Sequence, residues 1–224
     1  MRKHSKEFLQ HLTPLQAYSL LVEGNKRFVN NLTTDHDHLE MINETREGQH
    51  PFAVILSCMD SRTAVEFIFD QGLGDLFSIR VAGNIVNDDI IASIEYAVKY
   101  AGSKLLMVLG HTSCGAINSA RQGVKDGHIT SLLEKINPAI SKSLLRDGKN
   151  HLFSDSVAYA NVENSLEEIL MRSTVVRQLF EEEKIGLAGG VYDVATGQVD
   201  FFKNLTQKKK QPETMSLIEK ASVH

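Results

Sequence analysis

The 224-residue chain has no tryptophan, four prolines and two cysteines, and aromatic residues make up 7% of it. Two cysteines exclude the multi-disulfide framework of a small secreted scaffold, and in a reducing compartment they favour metal binding or catalysis over a single disulfide. No stretch reaches the roughly 18 uninterrupted apolar residues of a membrane helix. The basic start Met1-Arg2-Lys3-His4-Ser5-Lys6 is not followed by the apolar core and small-residue cleavage site of a secretory leader. Charge of one sign is not in large excess either: 24 Lys and Arg against 28 Asp and Glu give a net charge of −4. That balance offers no basic footprint to nucleic acid or an anionic membrane. What remains is a cytoplasmic protein acting on a small molecule, with neither nucleic acid nor a membrane as partner. With 42% apolar residues, the chain can bury the core of a single domain, 1–224.

The patterning is that of an α/β domain: a parallel-centred β-sheet flanked by helices, with a helical N-terminal extension and a C-terminal edge hairpin. Thr13-Pro14-Leu15-Gln16 is a capping box with proline at the first helical position, so the spacing predicts a helix from Pro14 to about Asn30. Leu21, Phe28 and Val29 would form its apolar stripe, and Gly24 weakens its middle. This helix is expected to pack across a partner subunit. Residues 31–50 read as a polar loop with a short helix around Leu39 to Thr45. Phe52–Leu56, Leu76–Val81 and Lys104–Leu109 are near-continuous apolar runs of strand length, as in parallel strands covered on both faces. Ala64–Phe69 and Asp88–Tyr100 read as helices. Residues from Asn161 through Ser173 to Phe180 recur at helical spacing, with Gly186 as the stop. Leu187–Val194 and Val199–Phe202 form the hairpin. The expected organisation is a helical arm over 1–48, an α/β core over 49–204 and a tail over 205–224.

Each cysteine closes an apolar run. Cys58-Met59-Asp60-Ser61-Arg62 follows Phe52-Ala53-Val54-Ile55-Leu56, and His111-Thr112-Ser113-Cys114 follows Leu105-Leu106-Met107-Val108-Leu109-Gly110. Ligands of such sheets gather beyond the carboxyl ends of the strands. Zinc takes thiolate sulfur and imidazole nitrogen in a tetrahedral shell, and catalytic sites supply three protein ligands and leave one place open. Cys58, His111 and Cys114 are such a set. Two thiolates cancel the formal charge of Zn²⁺, so neighbouring groups must help bring a bound water to a pKa near 7. Asp60 can accept a hydrogen bond from that water or occupy the fourth position itself in a closed state, and Arg62 can pair with Asp60 and hold it off the metal.

Cys-x-Asp-x-Arg followed some fifty residues later by His-x-x-Cys resembles the β-class carbonic anhydrase family, most closely over Gln49 to Gly115. The resemblance implies a zinc enzyme that hydrates carbon dioxide reversibly to bicarbonate and a proton by zinc-bound hydroxide, assembled as a homodimer or homotetramer with active sites at the subunit boundary. It implies Cys58, His111 and Cys114 as zinc ligands, Asp60 and Arg62 as the gatekeeper dyad, and Gln49 as a donor to substrate oxygen. By the same resemblance Phe77 and Tyr96 would line the carbon dioxide pocket from the neighbouring subunit, with Ala82 and Gly115 also at the pocket. Members inhibited by bicarbonate carry a tryptophan three residues before the first cysteine. Here that position is Ile55, which implies an open site near neutral pH. Arg80 is shared by both subtypes, and Val81-Ala82-Gly83-Asn84 departs from the usual Asn-Val-Ala-Asn.

Other functions fit parts of the pattern. A hydrolase of carbon disulfide or carbonyl sulfide would use the same ligands, a bicarbonate sensor would keep the zinc without catalysis, and a cysteine-nucleophile enzyme would need no metal. Asp35-His36-Asp37-His38 and Lys208-Lys209-Lys210 read as solvated segments rather than a second metal site or a nucleic-acid contact. His128 and His151 lie in polar stretches where a proton shuttle is conceivable.

Overall fold

The computed structural model describes residues 5–147 and 153–206. His151 and Lys208-Lys209-Lys210 lie outside these residues.

Five strands form one sheet: β1 (Ala53–Ser57), β2 (Leu76–Arg80), β3 (Leu105–His111), β4 (Gly186–Tyr192) and β5 (Val199–Leu205), in the order β2-β1-β3-β4-β5. All neighbours run parallel except β5, which closes the edge antiparallel to β4. Every residue of β1, β3 and β4 is buried, whereas the edge strands β2 and β5 are partly exposed. Continuous apolar runs and a two-face cover go together in β1 and β3, as the sequence implied, but β2, read from the same kind of run, is an edge strand with every residue after Leu76 exposed or partly so.

Ten helices surround the sheet among the described residues: α1 (Lys6–His11), α2 (Pro14–Val29), α3 (His38–Thr45), α4 (Val65–Ile68), α5 (Asp88–Glu95), α6 (Gly115–Arg121), α7 (Ile129–Glu134), α8 (Asn137–Asp147), α9 (Phe153–Arg172) and α10 (Thr174–Glu181). One core face gathers Val54, Leu56, Val108, Val162 and Ile169, and the other gathers Leu21, Phe52, Ile55, Phe69 and Leu109. Each large side chain taken fully from water contributes about 1.5–3 kcal/mol.

The capping box forms: Gln16 N donates to Thr13 Oγ1 at 3.2 Å and Thr13 N to Gln16 Oε1 at 2.9 Å. One face of α2 is covered by its own chain. Its buried residues Ala17, Leu21, Gly24 and Asn25 lie against its own chain, with Asn25 Nδ2 donating to Gly197 O at 2.9 Å and Ile68 O at 3.2 Å. Gly24 is required there, since a Cβ would sit 1.8 Å from Phe69 O. Of the predicted stripe, Leu21 is buried and Val29 is 43% exposed.

Other boundaries also move. The helix predicted over Asp88–Tyr100 is α5 followed by a single π turn, Tyr96–Tyr100. The long C-terminal helix is two helices, because Ser173 leaves the helical conformation to cap α10, accepting from Val176 N at 3.0 Å. Gly186 is no helix stop but the first residue of β4, paired with Leu105. Helices α1, α6, α7 and α8 had no motif to announce them.

The strand order places the site. Connections leave β1 toward β2 and β3 toward β4 in opposite directions, so the chain reverses its winding between β1 and β3. Open α/β sheets bind ligands at that switch point, outside the carboxyl ends of the strands. Cys58 directly follows β1, and His111 is the last residue of β3.

Candidate metal centre

Cys58, His111 and Cys114 offer ligand atoms that all lie within 4.8 Å of one another. A tetrahedral shell with zinc–sulfur bonds of 2.3 Å has edges of about 3.8 Å, so small side-chain adjustments close the set around an ion. All three residues are buried, at 4%, 1% and 2% exposure, and both cysteines are free thiols. Among the described residues no other group of three such side chains converges in this way. In the Asp35–His38 segment, Asp37 instead caps α3 through Glu40 N, and His36 faces Asp70. His128 is exposed, at the residue preceding α7.

The donors suit a divalent cation. His111 Nδ1 lies 2.9 Å from the Thr112 carbonyl, which only accepts, so Nδ1 carries the proton. His111 Nε2 is then a buried lone pair with no hydrogen-bond partner, an arrangement that is costly unless something fills it. The two thiols share a proton. Cys58 is pulled well below the usual thiol range, chiefly by the Cys114 side chain and against the effect of burial, with help from the N–H groups of Asp60 and Gly83. Cys114 is pushed up by the same contact and by burial. A thiophilic cation would displace that last proton and bind both as thiolates.

The loop after β1 is firmly held. Arg80 on β2 donates to the Cys58 carbonyl at 3.2 Å and also to the Asp60 carbonyl. Thr63 Oγ1 lies 2.9 Å from both of those carbonyls and donates to one of them. Asp60 is fully engaged by Arg62: Oδ1 accepts from the Arg62 backbone N at 3.0 Å and Nε at 2.9 Å, and Oδ2 from Nη2 at 2.8 Å. These bonds hold the Asp60 carboxyl far below the ordinary carboxylate range. The negative charge of the coupled Cys58–Cys114 pair adds to the effect of Asp60 in raising the Arg62 guanidinium, which places the dyad within electrostatic reach of the thiols. Asp60 is not a member of the three-ligand group.

The loop after β3 is shaped by partners that its motif did not reveal. Ser113 adopts φ 56°, and Cys114 is the N-cap residue of α6. Thr112 N donates to Tyr192 O at 2.9 Å, and its Oγ1 accepts from Val194 N at 3.1 Å and faces Asp193 Oδ1 at 3.4 Å. Asp193-Val194-Ala195-Thr196-Gly197 is a turn with an Asp at its start, a signal legible in the sequence. Its reach across 81 residues to Thr112 was not.

The remaining candidate residues fall into two sets. Ala82 begins the short 3₁₀ turn Ala82–Asn84 beside Cys58, and Gly115 starts α6 directly after Cys114. Gln49 is exposed in the loop preceding β1, at the amino end of the sheet. Phe77 pairs with Val54, four residues before Cys58, which is about 13 Å along a strand. Tyr96 is 59% exposed and meets Phe77 edge-on, with ring centroids 6.4 Å apart. Within one chain, Gln49 and Phe77 therefore stand at the end of the sheet opposite the thiols.

The sequence pattern of the family described as carbonic anhydrase matches residues 53–199. A protein described as carbonic anhydrase 2 from Mycobacterium tuberculosis is 33% identical over 199 residues, covering 85% of this chain and 93% of its own length. Among solved structures, a Coccomyxa β-carbonic anhydrase in complex with acetazolamide superposes with a TM-score of 0.69 at 22% identity, over 84% of this chain and 87% of that one. A tetrameric β-carbonic anhydrase from Sordaria macrospora gives 0.67 at 23% identity, over 83% and 96%. Sequence and fold agree: the chain belongs to the carbonic anhydrase family and has the β-class fold.

Proposed function

We propose that this protein hydrates carbon dioxide reversibly to bicarbonate and a proton at a zinc ion held by Cys58, His111 and Cys114. The observation that carries this reading is the three-ligand cluster, with its unpartnered His111 Nε2, beside the bidentate Asp60–Arg62 pair. Bound there, zinc would supply the Lewis acidity that makes water nucleophilic near neutral pH.

The chain's own groups account for the rest. Asp60, kept ionised by Arg62, is an acceptor only, so it fixes the attacking water by taking one of its protons in a hydrogen bond and turns a lone pair toward carbon dioxide. Arg62 holds both carboxylate oxygens and keeps Asp60 from closing onto the metal. Ala82 and Gly115 place neither a charged nor a bulky side chain beside the ligands, as a linear apolar substrate requires. The Gln49 amide donates to the substrate oxygen on which charge develops.

Gln49, Phe77 and Tyr96 are assigned to the site of a neighbouring subunit, because a strand's length separates Gln49 and Phe77 from the thiols of their own chain. The partly buried ring of Phe77 and the exposed rings of Tyr96 and Tyr100 form a continuous aromatic surface for that contact. A homodimer, doubled to a tetramer as in the Sordaria relative, is the proposed assembly. Sedimentation equilibrium is expected to give a dimer or tetramer, and a fully active monomer would contradict the assignment. Two free thiols suit a reducing compartment, and the cytoplasm is the proposed location. Among the described residues no helix is long and apolar enough to cross a membrane.

Metal analysis after anaerobic purification tests the reading: one zinc per chain is expected, with Cys58→Ser losing both zinc and activity because a hydroxyl is a poor zinc ligand. Zinc well below one per chain in active protein would contradict it.

A further inference from the structure

We infer that Asn161, with Ser165 one turn later on α9, is a positioning residue for the metal centre: it fixes the Ala82–Asn84 turn so that the Gly83 N–H is presented to the Cys58 sulfur. The inference rests on the metal reading above and concerns how this chain tunes one of the ligands.

Asn161 and Ser165 are 1% and 2% exposed, on a face of α9 otherwise made of apolar side chains such as Ala158, Val162 and Leu166. Polar groups persist in such a place when they are hydrogen-bonded. Both are. Asn161 Nδ2 donates to Gly83 O at 2.7 Å, and Ser165 Oγ donates to Asn84 O at 3.0 Å. Four residues apart, the two side chains share a helix face and grip consecutive carbonyls.

The turn they hold would not keep this shape by itself. Gly83 has φ 66° and Asn84 φ 42°, two successive left-handed residues, one of them not glycine. Such a conformation survives where its surroundings over-determine it. Gly83 is also closely packed, since a Cβ there would lie 2.8 Å from Ile136 Cδ1 and 3.3 Å from Ala116 Cβ. The outcome of this restraint is that Gly83 N lies 3.4 Å from Cys58 Sγ.

An N–H directed at a thiolate stabilises its negative charge and weakens its donation to a bound cation, leaving that cation a stronger Lewis acid. Partners just outside the ligands tune metal sites in this way. The need is specific here, because two thiolates already cancel the charge of a divalent ion.

Cobalt substitution reads the effect directly. The unsubstituted protein, loaded with one Co²⁺ per chain, is expected to have a thiolate-to-cobalt charge-transfer band in the near ultraviolet. Absence of that band sinks the metal reading itself and this inference with it. If the band is present, Asn161→Leu, which keeps the branched outline of the side chain and loses the donor, is expected to move it to longer wavelength as Cys58 becomes the stronger donor. Ser165→Ala is expected to move it the same way by less, and both variants should lower turnover at neutral pH. A purely structural role would lower thermal stability or cobalt occupancy without moving the band of the loaded fraction. An unmoved band in folded, fully loaded Asn161→Leu overturns the inference. Should that variant not fold, Ser165→Ala and Asn161→Ser decide the matter by the same band.

Discussion

Two aspartates ten residues apart in this chain each pair with an arginine, in different surroundings. Asp60 and Arg62 are neighbours in sequence, with side chains 20% and 48% exposed. Asp70 and Arg27 are 43 residues apart, and the Asp70 side chain is 2% exposed. Asp70 also accepts from Thr34 N at 2.9 Å and Thr34 Oγ1 at 3.0 Å, and has His36 Nε2 at 3.5 Å. It thus ties α2, the loop before α3 and the segment after α4 into one unit. The same ion pair is a clasp where it is buried and long-range. Where it is local and open to solvent, it can hold a carboxylate for chemistry and contributes little to stability. Spacing and burial, rather than residue type, separate the two uses.

The contrast should be widest at Asp60. Asp60→Asn removes the ionised acceptor and puts a donor against Arg62, so stopped-flow carbon dioxide hydration is expected to fall by about 10²- to 10³-fold. Zinc content and the thermal midpoint should stay where they are. An Asp60→Asn protein with full zinc and near-normal hydration would make this pair structural too.

At Asp70 the effects should be exchanged. Asp70→Ala leaves the Thr34 donors without their acceptor and Arg27, itself 34% exposed, without its partner, so it is expected to lower unfolding stability by about 1–3 kcal/mol in urea titration. Hydration by the fraction that remains folded should be close to that of the parent. pH sharpens the point. Burial alone would raise the Asp70 carboxyl, but Arg27 and Thr34 outweigh it and bring it below its ordinary value. The native state therefore holds Asp70 ionised more tightly than the unfolded chain does. Its contribution is complete above the unfolded value of about 4 and disappears as pH falls below it. Stability curves of the parent and Asp70→Ala should converge on acidification, and a constant gap down to pH 2 would contradict this assignment.

The smallest effect is expected at Gln49, which contributes one hydrogen bond and no fold. Gln49→Ala should lower turnover by about 10- to 100-fold with stability unaffected, and unchanged turnover would remove Gln49 from the site.

What the sequence made legible divides along the same line. Cys58, Asp60 and Arg62 fall within five residues, as do His111 and Cys114 within four, so local spacing announced their chemistry. Strands buried on both faces were readable as apolar runs. Contacts made across the chain were not. Gly24 looked like a weak point in α2 until Phe69 O was found against it. Gly186 looked like a helix stop because β4 contains three glycines and only seven residues. Asn161 looked like one position of a helical stripe, and its partner carbonyl lies 78 residues away. The break at Ser173 was the exception: its capping role was local, but it fell at a position that also fitted the stripe.

The most direct measurement is stopped-flow hydration of carbon dioxide, with carbon disulfide as the competing substrate, on protein of known zinc content before and after chelation. The account predicts hydration in proportion to zinc, lost on removal, restored on return and absent from Cys58→Ser, with carbon disulfide left unhydrolysed. Hydration that survives complete zinc removal, or a zinc-loaded protein that hydrolyses carbon disulfide and leaves carbon dioxide untouched, would contradict it.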